Sequence, residues 1–262
     1  MVAGSTRTPV GARPSRGLAL ALALIGAACG GEDVPPEPET PPEPRELVIF
    51  VYDRSTSIPD HTLELATQLT NERVMALDHE DRVAGVRVLQ QSLAEERDAW
   101  SESVPARTIQ DFEVSRDSVA KFRFLLDATV LLADLADTKG RDDIGGTDIL
   151  STLHDVAAEM RAYPDHDATL YLFSDMLQSN YQIDMEGLRL MPPDGWVREA
   201  HDGGRLPDLS GLCVVVVGAR VDTPASQRVK AFWDEYFQTT GATLVDSNYM
   251  LRPVRLPLNP CG

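Results

Sequence analysis

The chain is short of cysteine, short of positive charge and without a long hydrophobic run. Three cysteines in 262 residues are too few to build a disulfide scaffold. Lys and Arg number 24 against 41 Asp and Glu, a net charge of −17. That balance excludes nucleic acid as the main partner, because such a site needs a basic field to displace counterions. The apolar run Leu18–Ala28 has eleven residues, where a membrane-spanning helix needs about 20. A multi-span membrane protein is therefore excluded. No G-x-S-x-G, G-x-x-x-x-G-K-[ST] or H-E-x-x-H occurs, and the five histidines show no paired ligand spacing. What is present is ordinary globular material, 43% apolar and 25% charged, enough for one generous domain or two small ones. The acid excess would suit divalent cations or a basic partner, or serve only to keep the surface soluble.

Residues 1–28 carry three arginines (Arg7, Arg13, Arg16) and no acid, and end in the run Leu18–Ala28. A basic start, a short apolar stretch and small residues before a cut describe a secretory signal peptide. The cut region, Ile25-Gly26-Ala27-Ala28-Cys29-Gly30, resembles the bacterial lipobox, with Gly26 where that pattern usually has Leu. The resemblance implies lipidation of Cys29 and a chain anchored in a bacterial cell envelope, at the outer membrane facing the periplasm or the cell surface. Residues 29–46 then read as the lipidated cysteine and a Pro- and Glu-rich tether that cannot build a core. Extended, the tether would span roughly 50 Å at ~3.1 Å per residue.

From Leu47 the pattern changes. The runs 47–52, 168–173 and 213–217 are continuous, apolar and β-rich, the mark of strands buried on both faces. Residues 83–89 and the alternating 107–114 read as further strands, and 243–245 as a short last one. Helical periodicity covers 61–77, 115–136, 147–162 and 224–239. In the second of these, Val119, Phe122, Leu125, Leu126, Val130, Leu131 and Leu135 are expected inward, with Ser115 as N-cap and Gly140 as stop. Strands alternating with helices predict a single α/β domain over 47–250, a doubly wound and mostly parallel sheet flanked by helices, with a tail at 251–262.

Ligands in such sheets bind beyond the carboxyl ends of the strands. The first strand ends in Asp53-Arg54-Ser55-Thr56-Ser57, a D-x-S-x-S run whose three oxygen-bearing side chains suit a hard cation. Gly145-Gly146-Thr147-Asp148 leads into a helix, and Ser174-Asp175 closes the strand 168–173. With these three pieces, in this order, the chain resembles the von Willebrand factor type A domains with their metal-ion-dependent adhesion site, over about residues 47–250. The resemblance implies a Mg²⁺ (or Mn²⁺ or Ca²⁺) site. Ser55 and Ser57 would ligate the metal directly, and Thr147 directly or through water. Asp53 and Asp175 would stand just outside as the source of negative charge. An open metal position would take a carboxylate from a partner protein, so the module binds and is not an enzyme.

Other readings stay open at this stage. The site could be structural or empty in a scaffold of the same fold. A metal-dependent hydrolase on a similar sheet is the rival from another class, although phosphatases with an Asp after the first strand want a second Asp where Ser55 stands. Asp53, Ser55 and Ser57 could merely cap a turn. Asp148 reads as a helix N-terminal acid, Asp142 and Asp143 as loop charges, and His61 as a helix-start residue near the D-x-S-x-S loop. Phe232, Trp233, Tyr236 and Phe237 crowd one side of a helix and read as core. Cys213 and Cys261 are the pair left for a possible disulfide. Residues 178–210, long for a connection between strands, are expected to flank the metal face and set partner specificity.

Overall fold

The computed structural model describes residues 45–88, 99–107, 114–137, 146–180, 183–186 and 191–262. The signal, Cys29 and nearly all of the tether lie outside these residues, as do Asp142, Asp143, Gly145 and most of the strand expected at 107–114.

The described chain is an α/β sandwich on a six-stranded sheet. The elements run β1 (Arg45–Asp53), α1 (Asp60–Val74), β2 (Arg82–Val88), β3 (Ala99–Ser103), α2 (Val114–Leu135), α3 (Ile149–Ala162), β4 (His166–Phe173), α4 (Trp196–Asp202), β5 (Cys213–Val217), α5 (Pro224–Thr240) and β6 (Tyr249–Met250). The strand order is β3-β2-β1-β4-β5-β6. All pairs are parallel except β2 with β3, so the sheet is doubly wound. β1 is central, and its side chains divide by parity. Leu47, Ile49 and Val51 face a core with Ile149, Leu153 and Val156 of α3 and Trp233 and Phe237 of α5. Val48, Phe50 and Tyr52 face a second core with Ala66 and Leu69 of α1 and Leu125 and Leu132 of α2. Register is fixed on this second face by stacked cross-strand pairs, Phe50 on Tyr171 at 5.5 Å and Tyr52 on Phe173 at 5.4 Å.

Several expectations are corrected. The antiparallel edge strand is Ala-Trp-Ser-Glu-Ser at 99–103, paired with β2, and Arg107 lies in coil. Trp100 packs against Phe124, and Ser103 accepts from Arg82, contacts that a propensity reading of the segment does not reveal. Thr243 makes a single bridge to Cys213, and the last strand is Tyr249–Met250. Ser115 lies inside α2, not at its cap. Of the seven apolar residues expected inward on α2, Val119, Phe122, Leu126, Val130 and Leu131 are exposed. The buried face is Leu125, Ala128, Leu132 and Leu135. Gly85 on β2 decides this, because a Cβ there would overlap the methyls of Leu132 and Leu135. The helix therefore settles on the strand along that face.

The domain also extends past both expected boundaries. Arg45 and Glu46 belong to β1: Glu46 donates its amide to Asp81 and pairs with the buried Arg73. The tail is part of the body. Leu256 is buried, Pro257 accepts from the Tyr171 hydroxyl at 2.6 Å, and Pro260 accepts from Asn248 at 2.9 Å. Cys261 is disulfide-bonded to Cys213. Among the described residues no helix is long and apolar enough to cross a membrane.

Candidate metal centre

Strand order reverses between β1 and β4, each of which continues the sheet to its own side. The crevice of a doubly wound sheet opens at such a point, beyond the carboxyl ends of the two strands. Asp53 closes β1, and Ser174 and Asp175 follow β4. Topology alone therefore brings two of the three sequence pieces side by side.

Hydrogen bonds join them. Asp53 is fully buried; its Oδ1 accepts from the Ser55 amide at 2.9 Å and its Oδ2 from the Ser174 hydroxyl at 2.6 Å. The Ser55 and Ser57 hydroxyls lie 2.9 Å apart, and Ser57 donates to the Asp175 carboxylate. Asp175 also accepts the Leu177 amide at 3.0 Å. Burial first and the neighbouring Asp175 second push the Asp53 carboxyl up to about 6, against the opposing hydrogen bonds from Ser174 and Ser55. Asp175 is likewise raised by burial, and Glu186 by partial burial and then by Asp175 and Asp184. Acids thus crowd one edge of the sheet, and Asp175 makes both Asp53 and Glu186 harder to ionise.

Thr147 comes to this edge from the loop before α3. Its amide donates to Ser179 at 2.7 Å and its carbonyl accepts from Ser179 at 2.8 Å, four residues beyond Asp175. Its hydroxyl is buried and, among the described residues, has no hydrogen-bond partner. Asp148 is a capping residue, as expected. It accepts from the Ser151 amide and hydroxyl at the start of α3, and from Gln178 and Asn180. Those last two bonds tie the Thr147 loop to the strand-end segment that carries Asp175.

Two positioning features are absent from the sequence reading. Ser174 locks Asp53 and also accepts the Met176 amide at 2.9 Å; its place directly before Asp175 is the only sequence hint. Met176 is in the left-handed region (φ 67°), which costs a non-glycine residue about 1–2 kcal/mol. Its carbonyl accepts from the buried Trp233 indole at 2.8 Å, so α5 holds the bend that aims Asp175. No sequence signal marks that pairing. His61 sits in the first turn of α1 against Arg252, outside the cluster.

The segment 178–210 divides. Ile183 and Met185 are buried, and the Met185 amide donates to Gln178, beside the site. Residues 191–210 instead cover α5, where Trp196 packs on Phe232 at 5.8 Å. The expectation that the whole segment flanks the metal face is thus narrowed to its first part.

Among the described residues, no three His, Cys, Asp or Glu side chains form a metal-binding group. The set at the sheet edge is three hydroxyls and two carboxylates. It fits a hard cation that keeps several of its own waters, and the orphaned Thr147 hydroxyl and the unneutralised acids are what such an ion would satisfy.

No protein-family model matches the chain, and no curated protein sequence matches it. Among solved structures it is similar to proximal thread matrix protein 1 of the mussel byssus, at 13% identity and a TM-score of 0.37, over 75% of this chain and 48% of that one. It is also similar to the pilus adhesin SpaC of Lactobacillus rhamnosus GG in its open conformation, at 11% identity and a TM-score of 0.44, over 79% of this chain and 27% of the adhesin. The chain thus spans about half of the first and about a quarter of the second.

Proposed function

We propose that this protein is a von Willebrand factor type A-like binding module, tethered to the bacterial cell envelope through lipidated Cys29. In this reading Ser55, Ser57 and Thr147 hold a divalent cation, Mg²⁺ (or Mn²⁺ or Ca²⁺). Asp53 and Asp175 supply negative charge beside it. The cation's chemistry is that of a Lewis acid able to accept a carboxylate oxygen from a partner protein.

The observation that carries the reading is the Thr147 hydroxyl, buried and unpartnered, on a loop pinned to the segment that bears Asp175. A buried hydroxyl left unmatched costs about 1–3 kcal/mol, and a bound cation would remove that cost. The chain's own residues do the rest. Ser174 and the Ser55 amide fix Asp53 in one orientation, and Ser57 bridges the first loop to Asp175. Both oxygens of Asp53 are engaged and buried, which favours a supporting role over that of a nucleophile and weighs against the hydrolase alternative.

Calorimetric Mg²⁺ titration of the protein and of an Asp53→Ala/Ser55→Ala variant tests this. Heat in the wild type that is lost in the variant is expected. No heat in the wild type overturns the metal reading and leaves the scaffold alternative. Mg²⁺-dependent phosphatase turnover lost in Asp53→Ala would favour the enzyme. Pull-downs with and without chelator then seek the partner.

A further inference from the structure

The site has a neighbour that the metal reading does not use. A cavity of about 350 Å³ opens beside Asp175, between the segment after β4 and the start of α5. Its walls are mostly apolar, with Leu177 and Met185 on one side and Ala225 and Val229 on the other. Met185 and Val229 are buried. Arg220, on the loop after β5, stands at the rim, held by Asp222 at 2.9 Å. Asp175 belongs to both places: it lines the cavity and accepts the Ser57 hydroxyl of the candidate metal loop.

That shared residue limits what can dock here. The surrounding acids, Asp175, Asp184 and Glu186, repel a free carboxylate unless a cation receives it. The cavity next door offers mainly apolar surface, with the hydroxyls of Thr223 and Ser226 at its α5 side, and its volume is at the lower end for small-ligand pockets, room for a side chain or two. Its thioether wall suits an aromatic ring, since sulfur–aromatic contacts are favourable.

Building on the metal reading, we propose that the partner protein is recognised at two adjoining points. One is an Asp or Glu carboxylate on the cation. The other is an aromatic or branched aliphatic side chain close to that acid in the partner, seated between Leu177, Met185, Ala225 and Val229. The cation supplies the anchor, and the cavity selects among partners that all present a carboxylate. Met185, together with Leu177 just before the 178–210 region, thereby becomes the part of this segment that sets specificity.

Small probes separate the two points. The protein is labelled with ¹³C at its methionine methyls, with the Met185 signal assigned from a Met185→Leu variant. It is titrated with acetate, 3-phenylpropionate, 4-phenylbutyrate and 3-phenylpropanamide, in Mg²⁺ and in EDTA. In Mg²⁺ the better aryl carboxylate should shift the Met185 methyl and bind about ten- to a hundredfold tighter than acetate, the gain expected from burying one aromatic ring. An Ala225→Trp variant, which fills the cavity mouth, should lose that gain while keeping its Mg²⁺ heat and its affinity for acetate.

If all three carboxylates bind equally in Mg²⁺ and Met185 does not move, the cavity proposal is overturned and the metal reading survives. If the amide shifts Met185 as strongly as the acids do, in EDTA as in Mg²⁺, the two points are not one site, and the proposal fails. If no Mg²⁺ heat is seen, the metal reading fails first, and the proposal falls with it.

Discussion

At the scale of single residues, the site is defined by what its polar atoms lack. Asp53 ionises near 6 when folded and near 4 in an unfolded chain. Between those values the folded protein holds more protons than the unfolded, so stability must fall as pH rises through the window. Asp175 is shifted the same way by burial. In EDTA, the stability read from urea unfolding should therefore drop between pH 5 and pH 7, by about 1 kcal/mol if Asp53 acts alone. An Asp53→Asn variant should show a flatter slope, and Mg²⁺ should restore the wild type at pH 7. A midpoint that rises over this window would contradict the burial of Asp53. Asp78 works in the opposite sense. The His79 amide, then Lys121 and Arg107, hold its carboxyl below the usual range, so its contribution is lost only on acidification below about pH 4, outside the window. Thr147 gives a cleaner separation of fold from function. Thr147→Val keeps the shape and removes an unpartnered hydroxyl. Its melting temperature in EDTA should stay level or rise, while its Mg²⁺ affinity falls by about tenfold or more, one lost ligand being worth at least ~1.4 kcal/mol. A large loss of thermal stability instead would mean that the hydroxyl has a structural partner.

At the scale of elements, α2 shows what a sequence pattern can and cannot say. Its length and apolar content were legible in the periodicity of residues 115–136. Its orientation was not, because apolar residues lie on more than one side of the helix, and Gly85 on a distant strand decides which side docks. Leu132→Ala should therefore cost about 2–4 kcal/mol by opening a cavity, whereas Val130→Ala, on the exposed side, should stay within about 0.5 kcal/mol. Chemical denaturation of both variants checks this, and equal losses would refute the docked face. The central strands were legible for the converse reason. Leu47–Tyr52 and Cys213–Val217 are buried on both faces, so they need apolar residues throughout. The edge strand Ala99–Ser103 is exposed along much of its length and carries no such mark. The D-x-S-x-S loop was legible because Asp53, Ser55 and Ser57 are neighbours in the chain. Ser174, the left-handed Met176 and the Trp233 indole that holds it were not, since their roles exist only after α5 has packed on the sheet.

At the scale of the molecule, the sheet has two edges with separate duties. The carboxyl ends of β1 and β4 carry the candidate site, and the opposite edge carries the closure of the chain. Cys213 is the first residue of β5, and its disulfide to Cys261 fastens the tail far along the strand from Val217, where β5 reaches the site edge. The Asn248–Pro260 and Tyr171–Pro257 bonds fix the same tail, and Leu256 fills the core beneath it. The bridge closes a loop of 48 residues, and in the chain-entropy account a loop of that length is worth about 4 kcal/mol. A Cys213→Ser/Cys261→Ser variant should therefore unfold at a lower urea concentration, a loss of up to that size, with a steeper slope because the uncrosslinked denatured chain exposes more surface. Its Mg²⁺ affinity, measured where both proteins are folded, should equal the wild type's, because the tail is fastened to Tyr171, Asn248 and Cys213 and to none of the proposed ligands by those bonds. The result that would break this picture is a variant of near-normal stability with weakened Mg²⁺ binding, for then the tail would be shaping the far edge of the sheet rather than simply holding the chain closed.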